Sequence, residues 1–147
     1  MAQPNDSNAD MQLSSGVSAF EAKHFATAMT LLSPLAEQGN ADAQYRMAVM
    51  FQNGLGHVKN EAGAYRWMRA AAEQGHALAQ HGLGFMYLQG ECAQKDATEA
   101  AKWFRLAAEQ GLAGSQMTLG MLYEQGLGVA KDEAEARKWY QRAESGT

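Results

Sequence analysis

The sequence predicts an all-α fold built as a solenoid of stacked helix pairs, and three observations carry that prediction. Trp67, Trp103 and Trp139 recur every 36 residues, each closing a four-residue phrase that opens on Ala64, Ala100 or Ala136. Glu37-Gln38-Gly39, Glu73-Gln74-Gly75 and Glu109-Gln110-Gly111 repeat at the same interval of 36 with no insertion. The hydrophobic fraction, 46% of 147 residues, comes as Ala, Leu and Met with few Ile and Val, and Pro4 and Pro34 are the only prolines. That mixture favours helices over strands and is enough to supply a core. A fixed period of this length builds an extended surface in preference to an enclosed pocket.

Taken in order, residues 1–10 are polar and lack helical period, so they are expected to be a flexible tail. Residues 11–39 form a shorter leading pair of helices. Ala28, Leu31, Leu32 and Leu35 line its second helix, and a tight turn falls near Lys23 and His24. Three full units follow at 40–75, 76–111 and 112–147, giving about eight helices in four repeat units. In the first helix of each full unit the apolar face holds Ala43, Ala79 and Ser115, then Met47, Leu83 and Leu119, then Ala48, Gly84 and Gly120, then Phe51, Tyr87 and Tyr123. These stand at i, i+4, i+5 and i+8, one side of a helix. The small residue lets a neighbouring helix come close, and the aromatic one turn later is expected to fill the space beside it. Gly54, Gly90 and Gly126 stop the helix with left-handed caps. Asn60, Asp96 and Asp132 are suited to cap the next one. That second helix carries Ala64, Trp67, Met68 and Ala71 and their equivalents at i, i+3, i+4 and i+7.

The formal charge of −4 is mild and spread along the chain. No cluster of Lys and Arg marks a phosphate-binding face, so nucleic acid is not an expected partner. No stretch reaches the roughly 20 apolar residues of a membrane span. The first ten residues do not read as an intact signal peptide. A cytoplasmic location is expected, or a periplasmic or secreted one if a signal has been removed. Cys92 is the only cysteine and cannot form an internal disulfide.

From Ala77 to Gly111 the chain shows Leu83-Gly84, Tyr87, Gly90, Lys95-Asp96, Ala100, Trp103 and Ala107-Ala108 before Gly111. The next unit repeats Leu119-Gly120, Tyr123, Gly126, Gly128-Val129 and Asp132. This pattern resembles the Sel1-like repeat, a relative of the tetratricopeptide repeat, over about residues 40–145. Residues 22–28 are similar to the shorter tetratricopeptide-like unit that often opens such chains. The resemblance implies right-handed superhelical stacking of antiparallel helix pairs and a role as an adaptor or scaffold in protein complexes, often in bacterial settings. Cys92 stands where Gly56 and Gly128 lie, and Ala93 where a valine is expected, so that loop is expected to differ in shape. The lone cysteine excludes the disulfide staples of the cysteine-rich branch of the family.

Residues that serve only the repeat should look alike in every copy, which directs attention to positions opposite the packed face. Leu78, His81, Phe85 and Leu88 lie there at i, i+3, i+7 and i+10. Their counterparts are Asp42, Tyr45, Val49 and Gln52 before them and Gly114, Met117, Met121 and Glu124 after. In tetratricopeptide-like stacking the first helices line a concave groove. The candidate partner-binding residues are therefore Tyr45, Val49, His81, Phe85, Leu88, Met117 and Met121, with aromatic anchors and adaptable methionines. The competing reading is that these side chains pack on one another across units. The tryptophans read as core, except that Trp139, in the last helix, should be covered by the tail or lie at a contact with another chain.

The four histidines, His24, His57, His76 and His81, fall in different elements and show no metal-ligand spacing. No nucleophile motif or phosphate loop is visible, and Cys92 reads as a small loop residue. No catalytic residue, cofactor or metal is expected. The expected function is a protein-interaction module that binds a partner peptide or helix, as a monomer or weak homo-oligomer. The alternative is a structural protein that self-associates through its last repeat, with an enzyme as a remote third.

Overall fold

The structure, a computed structural model, describes residues 4–147 and contains only helices and connecting turns over that range. The helices are α1 (Pro4–Glu21), α2 (Phe25–Glu37), α3 (Ala41–Asn53), α4 (Glu61–Glu73), α5 (Ala77–Gln89), α6 (Ala97–Glu109), α7 (Ala113–Gln125) and α8 (Glu133–Ser145). The chain is an all-α helical-repeat protein. It divides into two compact units, the first ending at Ala71 and the second beginning at Ala72. None of the described helices is long and apolar enough to cross a membrane.

The start of α1 corrects the expectation of a flexible tail over residues 1–10. Residues 1–3 lie outside the described range, but the chain is helical from Pro4 onward. Proline suits the first turn of a helix because its missing N–H would have had no intrahelical partner there. The helix is anchored further along. Gln12 Nε2 donates to the Leu31 carbonyl at 2.9 Å, and Gly16 lies against the Leu32 side chain. An exposed helical extension of a packed segment needs no apolar period of its own, which is why polarity alone misled. The turn expected near Lys23 is present, with Lys23 in the left-handed region at φ 64°.

Within each full pair the loop is closed the same way. Gly54, Gly90 and Gly126 end α3, α5 and α7 in the left-handed conformation. The N–H groups of Asn60, Asp96 and Asp132 then donate to the carbonyls of Phe51, Tyr87 and Tyr123, each at 2.9 Å. Their side chains cap α4, α6 and α8, with Oδ1 accepting from Gly63, Glu99 and Glu135 at 2.9, 3.1 and 3.0 Å. This shared closure overturns the expectation that the Cys92 loop is shaped differently. Cys92 adopts φ 65°, beside 70° at Gly56 and 75° at Gly128. The closing bonds impose the backbone, and a non-glycine residue accepts a left-handed conformation at a cost of about 1–2 kcal/mol.

A second expectation changes at the small residues. The space beside Gly84 is filled by the Phe104 ring of α6, which a Cβ would meet at 3.0 Å. Beside Gly120 it is the Tyr140 ring of α8, at 2.8 Å. The filling group therefore comes from the second helix of the pair, and Tyr87 and Tyr123 of the first helix are not the nearest atoms. The missing Cβ faces the partner helix, so a ring from across the pair can close on the backbone. Gly16 against Leu32 repeats the device in the leading pair. In α3 the same register holds Ala48, and α4 carries Met68, whose unbranched side chain adapts to less space.

Successive pairs are joined through one carbonyl. Gly39, Gly75 and Gly111 turn the chain at φ between 93° and 99° and donate to Ala36, Ala72 and Ala108, each at 3.0 Å. Those same three oxygens accept a second bond from the buried side-chain amides of Gln44, Gln80 and Gln116 at 3.1, 3.2 and 3.1 Å. A carbonyl has two acceptor sites, so both bonds are accommodated. Gln80 Oε1 in turn accepts from Gln110 Nε2 at 2.9 Å. Gln116 has Gly146 at the equivalent place, and its buried Oε1 accepts no hydrogen bond.

Candidate partner-binding face

Trp67, Trp103 and Trp139 are all buried, with Trp139 only 5% exposed. Trp139, expected to be covered by the tail or to lie at a contact with another chain, is thus buried within the chain itself. Arg66, Lys102 and Arg142, each on the same helix as its tryptophan, lie 4.5, 5.6 and 4.6 Å from the ring centroids. The tryptophans are framework, so the variable face of the first helices is where a site has to be sought.

In the first unit, Tyr45 and Val49 are half-buried on α3. Burial, outweighing the nearby Arg46 guanidinium, raises the Tyr45 phenol above its ordinary value of 10.0. Arg46 is held between Asp42, at 3.3 Å, and the face of the Phe20 ring of α1, 4.9 Å to its centroid.

In the second unit the expected residues split into two groups. His81 and Phe85 turn inward. The His81 ring meets Phe85 and Phe104 edge-on at centroid distances of 4.9 and 5.4 Å, and Phe85 meets Phe104 at 4.9 Å. His81 Nδ1 also shares a hydrogen bond of 2.7 Å with Ser115 Oγ, which ties α5 to α7. Burial lowers the His81 pKa from its ordinary 6.5. For these two side chains, packing between neighbouring helices accounts for much of their apolar character. Leu78 and Met117 point outward instead, 46% and 50% exposed, with Leu88 and Met121 half-buried beside them.

The face is also nearly uncharged. Helix α5 contains no Asp, Glu, Lys or Arg, and α7 contains only Glu124. The second helices α6 and α8 carry charges throughout. Glu124 borders a cleft of about 320 Å³ between α7 and α8, whose other walls are Glu133, Ala136, Arg137 and Tyr140. Burial and, after it, the Glu124 carboxylate raise the Tyr140 pKa above 10.0, so the phenol stays protonated at neutral pH. Reading the stripe by helix period found Glu124 but not the cleft, because its other four lining residues belong to the next helix. A signal was present in the repeat itself: Ala97 and Ala101 of α6 become Glu133 and Arg137 at the same register of α8.

Sel1 repeat profiles match residues 41–76, 77–112 and 113–146. This chain belongs to the Sel1 repeat family. A Sel1 repeat protein from Oxalobacter formigenes has a similar structure, with 39% identity and a TM-score of 0.87 over 92% of this chain and 56% of that one. A protective antigen of uropathogenic Escherichia coli with the same repeat fold shows 38% identity and a TM-score of 0.87 over 93% of this chain. The present sequence spans only 30% of that antigen. Cysteine rich protein B of Helicobacter pylori, at 20% identity and a TM-score of 0.66, shares the fold. No curated protein matches the sequence. Sel1 repeats generally serve as protein-interaction scaffolds and are typically non-enzymatic.

Proposed function

We propose that this Sel1 repeat chain is an interaction module that holds a peptide or helix of a protein partner on the variable face of its first helices. The observation that carries the reading is the character of α5 and α7. Among Asp, Glu, Lys and Arg they hold only Glu124 between them, yet they expose Leu78 and Met117 to solvent. Exposed apolar side chains on a face almost without charge suit a contact site, and methionine adapts to an irregular partner. Within the first unit, Tyr45 and Val49 stand at the equivalent register of α3. Self-association through the last helix pair has less support, because Trp139 is covered and α8 presents Arg137 and Glu144 where α6 has buried Ala101 and Ala108.

The test uses exposed positions, since Phe85→Ala would also disturb the contact with Phe104. Leu78→Glu and Met117→Glu should each lower capture of the partner by about tenfold or more, the scale of a lost apolar contact plus a buried charge. Helical circular dichroism should stay unchanged. Full affinity in both variants would remove the assignment. A mass by light scattering that rises with concentration would favour self-association instead.

A further inference from the structure

Two departures from the repeat meet at one hydrogen bond in the second unit. Where α5 carries His81 the equivalent positions hold Tyr45 and Met117, and where α7 carries Ser115 they hold Ala43 and Ala79. Ala43, Ala79 and Ser115 are all fully buried, so the fold itself needs no hydroxyl there. A buried hydroxyl costs free energy unless it is bonded, and Ser115 Oγ meets His81 Nδ1 at 2.7 Å. Among the described residues this hydroxyl has no other hydrogen-bond partner. Its proton therefore has one acceptor, the lone pair on Nδ1, which fixes the ring as the tautomer with its own proton on Nε2. Nε2 lies toward Gly114 of α7, where a Cβ would stand 3.9 Å from it.

The direction of that bond makes it sensitive to pH. An imidazolium carries a proton on both nitrogens, so Nδ1 can no longer accept. Ser115 must then turn from donor to acceptor, with its own proton left unpaired in the core. No charged group of α5, α6 or α7 compensates. Helix α5 has no Asp, Glu, Lys or Arg, its Tyr87 is buried, and His76 at its start accepts from the Ala79 N–H. On α6, Lys102 pairs with Glu99 at 3.8 Å, Arg105 lies over the Tyr123 ring of α7, and Glu109 is exposed. The one acid of α7, Glu124, stands about 13 Å along the helix from Ser115. What the ring touches instead is Phe85 and Phe104. We propose that the His81–Ser115 bond is a pH-sensitive latch between α5 and α7, closed when Ser115 donates to the neutral imidazole and released when the ring takes up a proton. Leu78 precedes His81 on α5 and Met117 follows Ser115 on α7, so the latch holds together the two helices of the proposed face. Its chemistry does not depend on what that face binds.

The experiment uses the full chain, Ser115→Ala, which restores the residue of the other units, His81→Gln, which can accept from Ser115 without titrating, and the double variant. Nitrogen and carbon NMR of the His81 ring should show its proton on Nε2 at pH 7.5. The titration midpoint of the ring should rise in Ser115→Ala by about half a pH unit, a roughly threefold gain in proton affinity, because a bond made only to the neutral form is gone. Urea midpoints should agree. The wild type should exceed Ser115→Ala at pH 7.5 and the gap should close by pH 5, whereas the gap between His81→Gln and the double variant should be the same at both. A titration midpoint that falls in Ser115→Ala, or a stability gap that widens in acid, would mean that the imidazole donates and protonation tightens the contact, which overturns the latch. A ring protonated on Nδ1 at pH 7.5 overturns it too. If Ser115→Ala leaves the titration midpoint in place and the gap constant with pH, the bond carries no pH dependence and the inference fails.

Discussion

The His81 imidazole lies edge-on to two phenyl rings, with one nitrogen hydrogen-bonded to Ser115. Protonating it places a charge among apolar groups, so the folded state holds the proton less tightly than the unfolded chain. The stability it gives is complete above the ordinary value of 6.5 and is lost as pH falls from there toward the lower folded value. Urea midpoints measured from pH 7.5 to 5 should fall toward acid, and His81→Gln should flatten that slope. An unchanged slope would show that the imidazole does not set it. At this scale the sequence was informative about which residues matter and less so about where they face. Helical period put His81 and Phe85 together on one side of α5, but whether such a side chain reaches solvent depends on Phe104 and Ser115, which belong to other helices.

Helix starts differ in quality along the chain. Asn40 and His76 cap α3 and α5, accepting from Ala43 and Ala79 at 2.9 and 3.1 Å, while Leu112 at the same register offers α7 no side-chain acceptor. Leu112→Asn should therefore stabilise the protein by about 1 kcal/mol, seen as a higher urea midpoint at constant m. The second-helix caps were legible because Asn60, Asp96 and Asp132 repeat one chemistry at the end of one loop. The first-helix caps were not, since asparagine, histidine and leucine share no type that a reader would align. Gln44, Gln80 and Gln116 recur at an interval of 36 and were open to the same reading. An apolar-face search discounts them because a buried amide looks like an interruption until its carbonyl acceptor is known. The close approach of Gly84 to Phe104 and Gly120 to Tyr140 was half legible: the glycine was marked, and its partner was not. The cleft stayed hidden for a related reason, as neither α7 nor α8 alone contains it.

For the molecule as a whole, the main packing joins helices that are neighbours in sequence, α1 with α2, α2 with α3, α5 with α6, α6 with α7 and α7 with α8. Little chain has to be closed into loops before such contacts form, so refolding should be fast, on the order of milliseconds or less. Stopped-flow fluorescence of the tryptophans checks this, and a dominant phase lasting seconds would contradict it. The helical class and the repeat period were legible from the tryptophans and the Glu-Gln-Gly phrases because both are imposed by every copy. The extent of α1 was not, since nothing repeats it. The glutamine bonds that tie each pair to the carbonyl before it also make array length a quantised property. Duplicating or excising a block of 36 residues brings an equivalent glutamine to an equivalent alanine carbonyl. A block of any other size presents the wrong residue at the join, so lineages carrying this repeat can lengthen or shorten by recombination in whole steps without inventing a new seam.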